Sequence, residues 1–207
     1  MTGIITEDHR KGTTAVYQKE KQGYSICGDA YYMSENDGYF LAAIADGLGS
    51  GENANRSARI VVNTIENQHA GTSLEGLFSA CNKALSHERG AVVTILKIDY
   101  TSKNVFYGNV GNAGCVLNID DEGCYRPIPA AGFLSGRRLK PKMYNYPFDS
   151  EVSFVLYSDG AEVHNMRDRF AQYAEVPSEF VQNMVVSNDA ACKDDITIIS
   201  GHMKEKA

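Results

Sequence analysis

The chain has 207 residues, with 26 acidic and 20 basic side chains and a formal net charge of −6. This excess of acid argues against nucleic acid or an anionic membrane as the partner. No apolar run approaches the ~20 residues that span a bilayer, and the first twelve residues are polar, so we expect a cytoplasmic protein with no membrane partner. The five cysteines include no CxxC pair, which favours neither a disulfide framework nor a zinc site. We expect one domain over residues 1–207.

The elements predicted in the first half of the chain are two strands and then two amphipathic helices. The run at Tyr39–Ala45 is apolar throughout, which is typical of a strand that is buried on both faces. From Glu52 to about His69 the apolar period becomes helical, and the same spacing recurs over Ser73–Glu88, where Ser73 is the expected N-cap. The first of the two predicted strands, Thr13–Lys19, precedes these three elements in the chain.

The second half of the chain is dominated by strands that are separated by turn signals, which implies antiparallel pairing. Helical spacing returns once, over Val176–Ser187. The predicted strands are Ala91–Ile98, Asn104–Val110, Ala113–Ile119, Met143–Pro147, Glu151–Tyr157 and Asp195–Met203. Because strands and helices come in blocks rather than in strict alternation, we expect an α/β sandwich of two sheets with helices packed outside them, not a parallel Rossmann-type sheet.

Aspartates stand at four places where a strand meets a glycine-rich or polar turn: Asp29, Asp46, Asp159 and the pair Asp194 and Asp195. Carboxylates that converge from rigid sheet ends repel one another unless a cation compensates. An oxygen-only ligand set favours Mg²⁺ or Mn²⁺ over zinc. Two such ions can activate water and bind a phosphoryl oxygen, so the residue types indicate metal-assisted hydrolysis of a phosphate ester.

Each aspartate taken alone also has an ordinary structural interpretation, because Asp-Gly pairs are common in turns and aspartate often caps helices. Asp46 is the exception. It ends a long apolar strand and opens the segment Asp-Gly-Leu-Gly-Ser-Gly, which contains far more glycine than one turn needs. Function is therefore favoured at Asp46 even without the other aspartates.

Five short motifs in this order resemble the PPM family of metal-dependent Ser/Thr protein phosphatases, and in particular its SpoIIE-like branch. They are Gly-Asp (28–29), Ala-Asp-Gly-Leu-Gly-Ser-Gly (45–51), Gly-Asn (111–112), Ser-Asp-Gly (158–160) and Asp-Asp-Ile-Thr (194–197). The resemblance covers nearly the whole chain. It implies an α+β fold, a four-layer αββα sandwich in which two antiparallel β-sheets are flanked by helices.

The resemblance also implies a centre of two Mn²⁺ or Mg²⁺ ions. By position, Asp46 bridges both ions, the carbonyl of Gly47 binds one of them, and Asp159 and Asp194 bind the second. Asp29 acts directly or through a water molecule. Asp46, Asp159 and Asp194 are thereby the expected catalytic residues, and Asp195, one place after a ligand, is expected to support the site without binding metal.

Three departures from the family pattern affect this expectation. Leu48 stands where many members carry histidine, so protonation of the leaving group by that route is not available. Asn112 stands where members with a third metal carry aspartate, which weakens or abolishes that third site. No arginine precedes Asp29 to hold the substrate phosphate, and we expect the nearest arginines, Arg56, Arg59 and Arg89, to be solvated.

The segment Ala130–Lys142 lies where this family inserts a flap beside the active site. Its cations, Arg137, Arg138, Lys140 and Lys142, are the densest basic run in the chain. They can steer a phosphorylated acidic protein toward the metals, or they can simply form a solvated loop that protects a sheet edge. Phe133 and Leu134 are expected to be buried anchors rather than docking contacts.

Within the family, the resemblance is to the stressosome feedback phosphatases. It implies a monomeric protein phosphatase that acts on phosphorylated STAS-domain proteins of the stressosome (RsbR- and RsbS-like), in negative feedback on the general stress response. One alternative is an ATP-binding domain of the histidine-kinase (GHKL) type, whose lid box of aspartate and glycines is similar to Asp46-Gly47-Leu48-Gly49, although no ExxxN box precedes Asp46. Another is a catalytically inactive PPM-fold binding module.

Overall fold

The computed structural model describes residues 3–161, 166–188 and 192–204, and these form eleven strands and four helices. The strands are β1 (Ile5–Asp8), β2 (Gly12–Lys19), β3 (Asp29–Glu35), β4 (Tyr39–Gly47), β5 (Ala91–Asp99), β6 (Asn104–Val110), β7 (Gly114–Ile119), β8 (Cys124–Tyr125), β9 (Lys142–Pro147), β10 (Glu151–Tyr157) and β11 (Ile196–Lys204). The helices are α1 (Glu52–Gln68), α2 (Leu74–Ala84), α3 (Met166–Tyr173) and α4 (Pro177–Asn188). Among these residues no helix is both long enough and apolar enough to cross a membrane.

The strands form two antiparallel sheets. The first has six strands in the order β1-β2-β11-β10-β7-β8, and the second has five in the order β3-β4-β5-β6-β9. One apolar cluster fills the space between the sheets, where the rings of Phe40 and Phe154 meet with centroids 5.6 Å apart. A second cluster joins the five-stranded sheet to α1 and α2, and a third joins the six-stranded sheet to α3 and α4. The architecture is the predicted two-sheet sandwich with helices outside.

Strand β4 shows why the sequence over 39–45 is apolar at every position. Alternate strand residues point to opposite faces of a sheet. Phe40, Ala42 and Ile44 pack between the two sheets, whereas Leu41, Ala43 and Ala45 pack against the helices. Both faces of β4 are therefore buried, and the next residue on the inter-sheet face is Asp46.

Most predicted elements are confirmed to within a few residues, including the cap at Ser73, whose hydroxyl accepts a hydrogen bond from the Gly76 amide at 3.2 Å. Helix α2 ends at Ala84, four residues before the predicted end at Glu88. Four elements were not predicted: β1, β3, β8 and α3. Strands β1 and β8 are short and are largely exposed, so they carry little apolar periodicity.

Candidate metal centre

The inter-sheet layer changes from apolar to acidic at one end of β4. Asp46 follows Phe40, Ala42 and Ile44 on the same face of the strand. The register of β3 and β4 places Asp29 directly opposite Asp46. Directly opposed residues of antiparallel strands point to the same side. Both carboxylates therefore face the end of the space between the sheets.

The six-stranded sheet faces these carboxylates with a small polar network. The side-chain amide of Gln18 donates to the Thr197 hydroxyl at 3.0 Å and to the Asp29 carbonyl at 3.4 Å. The Ser158 hydroxyl accepts from the Thr197 amide at 2.8 Å. Sequence reasoning missed Gln18 and gave no role to Ser158 and Thr197, which it named only within motifs. A polar residue on the inward face of an otherwise apolar strand is the signal that could have revealed all three.

Asp29 is the most deeply buried carboxylate of the group, with 2% of its surface exposed. Burial raises its pKa to about 7; the nearby hydroxyl groups of Ser158 and Thr197 oppose the shift, and the carboxylates of Asp195 and Asp159 add to it. Neither oxygen of Asp29 has a partner in hydrogen-bonding geometry among the described residues. A buried carboxylate without a partner is costly, so this site favours a bound cation.

Asp46 experiences the negative charge of every other acid in the group. Burial, followed by the charges of Asp29, Asp159, Asp194 and Asp195 in that order, raises its pKa to about 8. The segments carrying these acids lie far apart in sequence, so the fold gathers them into one electrostatic unit. All five aspartates that the sequence singled out belong to it.

Asp159 lies on the exposed side of this group, just after the end of β10. Its carboxylate accepts a hydrogen bond of 2.5 Å from the side-chain amide of Asn112. Asn112 follows Gly111, whose positive φ of 106° turns the chain at the end of β6. The family departure at Asn112 thus has a visible use, because an amide can orient Asp159 where a carboxylate would repel it.

Asp194 and Asp195 differ in their surroundings. Asp195 is 5% exposed and accepts a hydrogen bond from the Lys21 amide at 3.0 Å. Asp194 is less buried, accepts from the Asp195 amide at 3.0 Å, and lies 3.6 Å from the Lys21 ammonium. Each carboxylate accepts one backbone hydrogen bond, but Asp194 is the more exposed of the two and so is more accessible to a ligand.

The glycine loop, residues 47–51, connects Asp46 to α1 and can exist only with glycine at its first position. A Cβ on Gly47 would lie 1.9 Å from the carbonyl oxygen of Ala54 in the first turns of α1. The helix then begins after Gly51, which has a positive φ of 67° and provides no side-chain cap. Close approach between loop and helix therefore keeps the strand end compact beside Asp46.

These residues fit a divalent metal by their chemistry. The donors are hard carboxylate oxygens, which Mg²⁺ and Mn²⁺ prefer, and the unpartnered oxygens of Asp29 together with the mutual repulsion of the group call for positive charge. Within the described ranges, no three acidic, histidine or cysteine side chains already enclose an ion-sized point. Ligation by Asp29, Asp46, Gly47, Asp159 and Asp194 therefore stays a prediction.

A basic groove lies next to this end of the sandwich, between α2 and the segment after Leu134. It encloses about 880 Å³, and its lining includes Arg138, Lys140 and Lys142 with Glu75 as its acid. Leu134 and Ala91 exchange backbone hydrogen bonds of 2.9 and 3.0 Å, and Ala91 is paired with Gly47 on β4. Strand β5 thus separates Leu134, at one end of the groove, from the glycine loop. Leu134 is buried, as predicted. The prediction that Phe133 is a buried anchor is wrong, because 43% of its surface is exposed.

Residues 36–203 match the family model described as Stage II sporulation protein E (SpoIIE). The chain belongs to this family. Asp29 lies before the matched range, whereas the other four aspartates lie within it.

The chain is also similar to one curated protein and to two solved structures. The chain is 34% identical over 200 residues to the phosphoserine phosphatase RsbX of Bacillus subtilis (strain 168), covering 97% of this chain and 99% of RsbX. A crystal structure of RsbX in complex with magnesium is 33% identical, with a TM-score of 0.89 over 98% of this chain and 100% of that one. A structure solved in work on the bacterial stressosome is 24% identical and shares the fold, with a TM-score of 0.81 over 91% and 97% of the two chains. The predicted SpoIIE-like branch and the PPM-type sandwich are confirmed.

We expect saturating Mn²⁺ to raise the melting temperature of the metal-free protein by several degrees. Metal that binds only the folded state stabilises it by mass action, and it also relieves repulsion among the carboxylates. Differential scanning fluorimetry with and without Mn²⁺ measures the shift. An unchanged melting curve would contradict a metal site at this end of the sandwich.

We also expect the substitution Asp29→Asn to stabilise the protein in the presence of a chelator. The amide has the same shape but no charge, so the variant avoids the cost of burying a carboxylate among other acids. A recovery of about 2 kcal/mol would raise the melting temperature by roughly 4–8 °C at pH 8.5. Glu122→Gln, at an exposed acid in the turn before β8, is the matched control with no shift. A lower melting temperature for Asp29→Asn would show that the carboxylate is well accommodated without metal.

Proposed function

We propose that this chain is a metal-dependent phosphoserine/phosphothreonine protein phosphatase. The observation that carries the proposal is the pairing of Asp29 with Asp46 at the end of the inter-sheet layer, in a chain similar to the phosphatase RsbX along nearly its whole length. An unpartnered buried carboxylate beside a second one has little structural value. It has a clear use in holding cations that act on a phosphate ester.

In this proposal two Mn²⁺ or Mg²⁺ ions are held by Asp29, Asp46, the carbonyl of Gly47, Asp159 and Asp194. When bound, such ions lower the pKa of water and neutralise the charge of the phosphoryl oxygens. Asp46, whose pKa is raised by the charges of all four other aspartates, would be the residue shared between the two ions. Asn112 keeps Asp159 oriented through its hydrogen bond, and Lys21 offsets the charge of Asp194.

The overall reaction is hydrolysis: a water oxygen bonds to phosphorus, the bond from phosphorus to the serine or threonine oxygen breaks, and that oxygen takes up a proton. Leu48 has no proton to give. The partly exposed setting of the site, with Asp159 open to solvent, lets water supply that proton.

The proposed substrates are phosphorylated STAS-domain proteins of the stressosome (RsbR- and RsbS-like), and the proposed role is negative feedback on a general stress response by a monomeric, cytoplasmic enzyme. The likeness to RsbX supports this assignment. The basic groove supports a protein substrate, since cations beside the site attract an acidic, phosphorylated surface.

The two alternative functions are less favoured. A histidine-kinase-type ATP-binding domain does not account for a sandwich of two antiparallel sheets with helices on both outer faces. An inactive binding module does not account for the full set of acids. Without bound metal, the repulsion among these carboxylates would destabilise the folded protein and would serve no function.

We expect the protein to hydrolyse an aryl phosphate with Mn²⁺, to lose that activity in a chelator, and to lose several orders of magnitude of kcat/KM in Asp46→Asn or Asp159→Asn. Removal of a metal ligand removes the activated water and the charge stabilisation together. Asp121→Asn, at an exposed loop acid, is the control with unchanged activity. Full activity in excess chelator would exclude the mechanism, and a wild-type protein without activity would favour the inactive module.

We expect charge reversal in the basic groove to separate protein substrates from small ones. In the double variant Arg138→Glu/Lys140→Glu, kcat/KM for a phosphorylated STAS-domain protein should fall about tenfold or more, a loss of ~1.4 kcal/mol. Activity on an aryl phosphate should stay within about twofold, because that substrate does not reach the groove. The control Arg59→Glu/Lys83→Glu changes the net charge equally on the exposed surfaces of α1 and α2. Equal losses on both substrates would contradict a docking role.

A further inference from the structure

Arg89 lies opposite the glycine loop because of the register between β4 and β5. In that register Asp46 pairs with Val92 and Gly47 pairs with Ala91. The pairing extends beyond the strands, since the Leu48 amide donates to the Gly90 carbonyl at 3.0 Å. The next step in the same register brings Arg89 opposite Gly49.

The guanidinium of Arg89 occupies the space that a side chain at position 49 would fill. A Cβ on Gly49 would lie 2.8 Å from the Nη1 atom of Arg89, and Gly49 has a positive φ of 107°. Glycine at this position therefore lets the arginine lie directly across the loop that follows Asp46. The Arg89 side chain remains exposed to solvent.

The neighbouring charges are already paired, whereas Arg89 is available. Glu88, the adjacent acid, forms an ion pair of 2.8 Å with Arg56. Lys21, another cation of the site, is 3.6 Å from Asp194. Within the described residues, the guanidinium of Arg89 has neither an ion pair nor a hydrogen bond.

The backbone at Gly90 and Ala91, directly after Arg89, is held by neighbours on both sides. On one side is the bond from Leu48 to Gly90. On the other, Ala91 exchanges backbone hydrogen bonds with Leu134, and the ring of Phe133 lies over Gly90, 2.8 Å from the position of a Cβ there. A cation carried on a fixed backbone loses less entropy on binding an anion than one on a free loop.

We propose that Arg89, lying across Gly49, forms an anion subsite that binds the phosphoryl group of the substrate beside the metal centre. Gly49 is three residues after Asp46, and three residues span at most about 11 Å, so the guanidinium and the carboxylates can contact one phosphate from two sides. A guanidinium offers paired N–H donors that match two phosphate oxygens. This inference rests on the proposed function, and it identifies Arg89 as a residue that binds the substrate of that phosphatase.

The test uses Arg89→Ala and Arg89→Met, the second of which keeps the length of the side chain without its charge. Two quantities are measured on the Mg²⁺-loaded protein: KM for an aryl phosphate and the dissociation constant of inorganic phosphate by calorimetry. Both should rise about tenfold or more in either variant, which corresponds to ~1.4 kcal/mol. Arg89→Lys should recover part of the loss, and Arg59→Ala, at an exposed arginine of α1, should match the wild type.

A structural role for Arg89 predicts a different pattern. The melting temperature and its rise with Mg²⁺ should be unchanged in the Arg89 variants if the residue binds only phosphate. Wild-type values of KM and phosphate affinity in Arg89→Ala, or loss of the metal-induced rise, would overturn the subsite. If the wild type has no phosphatase activity, the proposed function fails, while the calorimetric phosphate titration still decides whether Arg89 binds the anion.

Discussion

The structure depends on one unfavourable contact: two carboxylates, Asp29 and Asp46, face each other across neighbouring antiparallel strands. Like charges in directly opposed positions destabilise a sheet. Here one of them is also buried and has no hydrogen-bond partner among the described residues. The sheets behind them supply the compensating stability through a continuous apolar layer in which both faces of β4 are covered. The rest of the molecule holds these two charges together until a cation joins them.

Around this contact, each supporting residue either reduces the repulsion among the carboxylates or restrains one of them. Asn112 replaces a possible sixth carboxylate with a hydrogen-bond donor for Asp159. Lys21 contributes its ammonium to Asp194 and its amide to Asp195, so a single residue restrains both members of that pair. Gln18 connects the Asp29 backbone to Thr197 on the facing sheet. The acids are thus fixed from several sides, as pre-organised metal ligands require.

The parts of the fold with strong periodicity were predictable from the sequence, whereas parts defined only by contacts were not. β4 and α1 show clear patterns, since one is apolar on both faces and the other on a single face. Strand β3 was missed because Asp29 begins it and the residues from Tyr31 to Glu35 are only half-buried, so no apolar alternation marks it. That omission hid the most informative fact of the site, that Asp29 lies opposite Asp46. Pairing between segments is set by tertiary packing, which no local pattern records.

Charge explains how an acidic protein can still receive an acidic substrate. The net charge of −6 repels phosphate at long range, but at physiological salt charges are screened beyond ~8 Å. Approach is then governed by the local field, and on the glycine-loop side this field is shaped by Arg89 and by the basic groove. The carboxylates repel an approaching phosphate unless bound cations offset their charge. The chain can therefore keep an acidic surface for solubility while a few cations on the glycine-loop side select the direction from which substrate arrives.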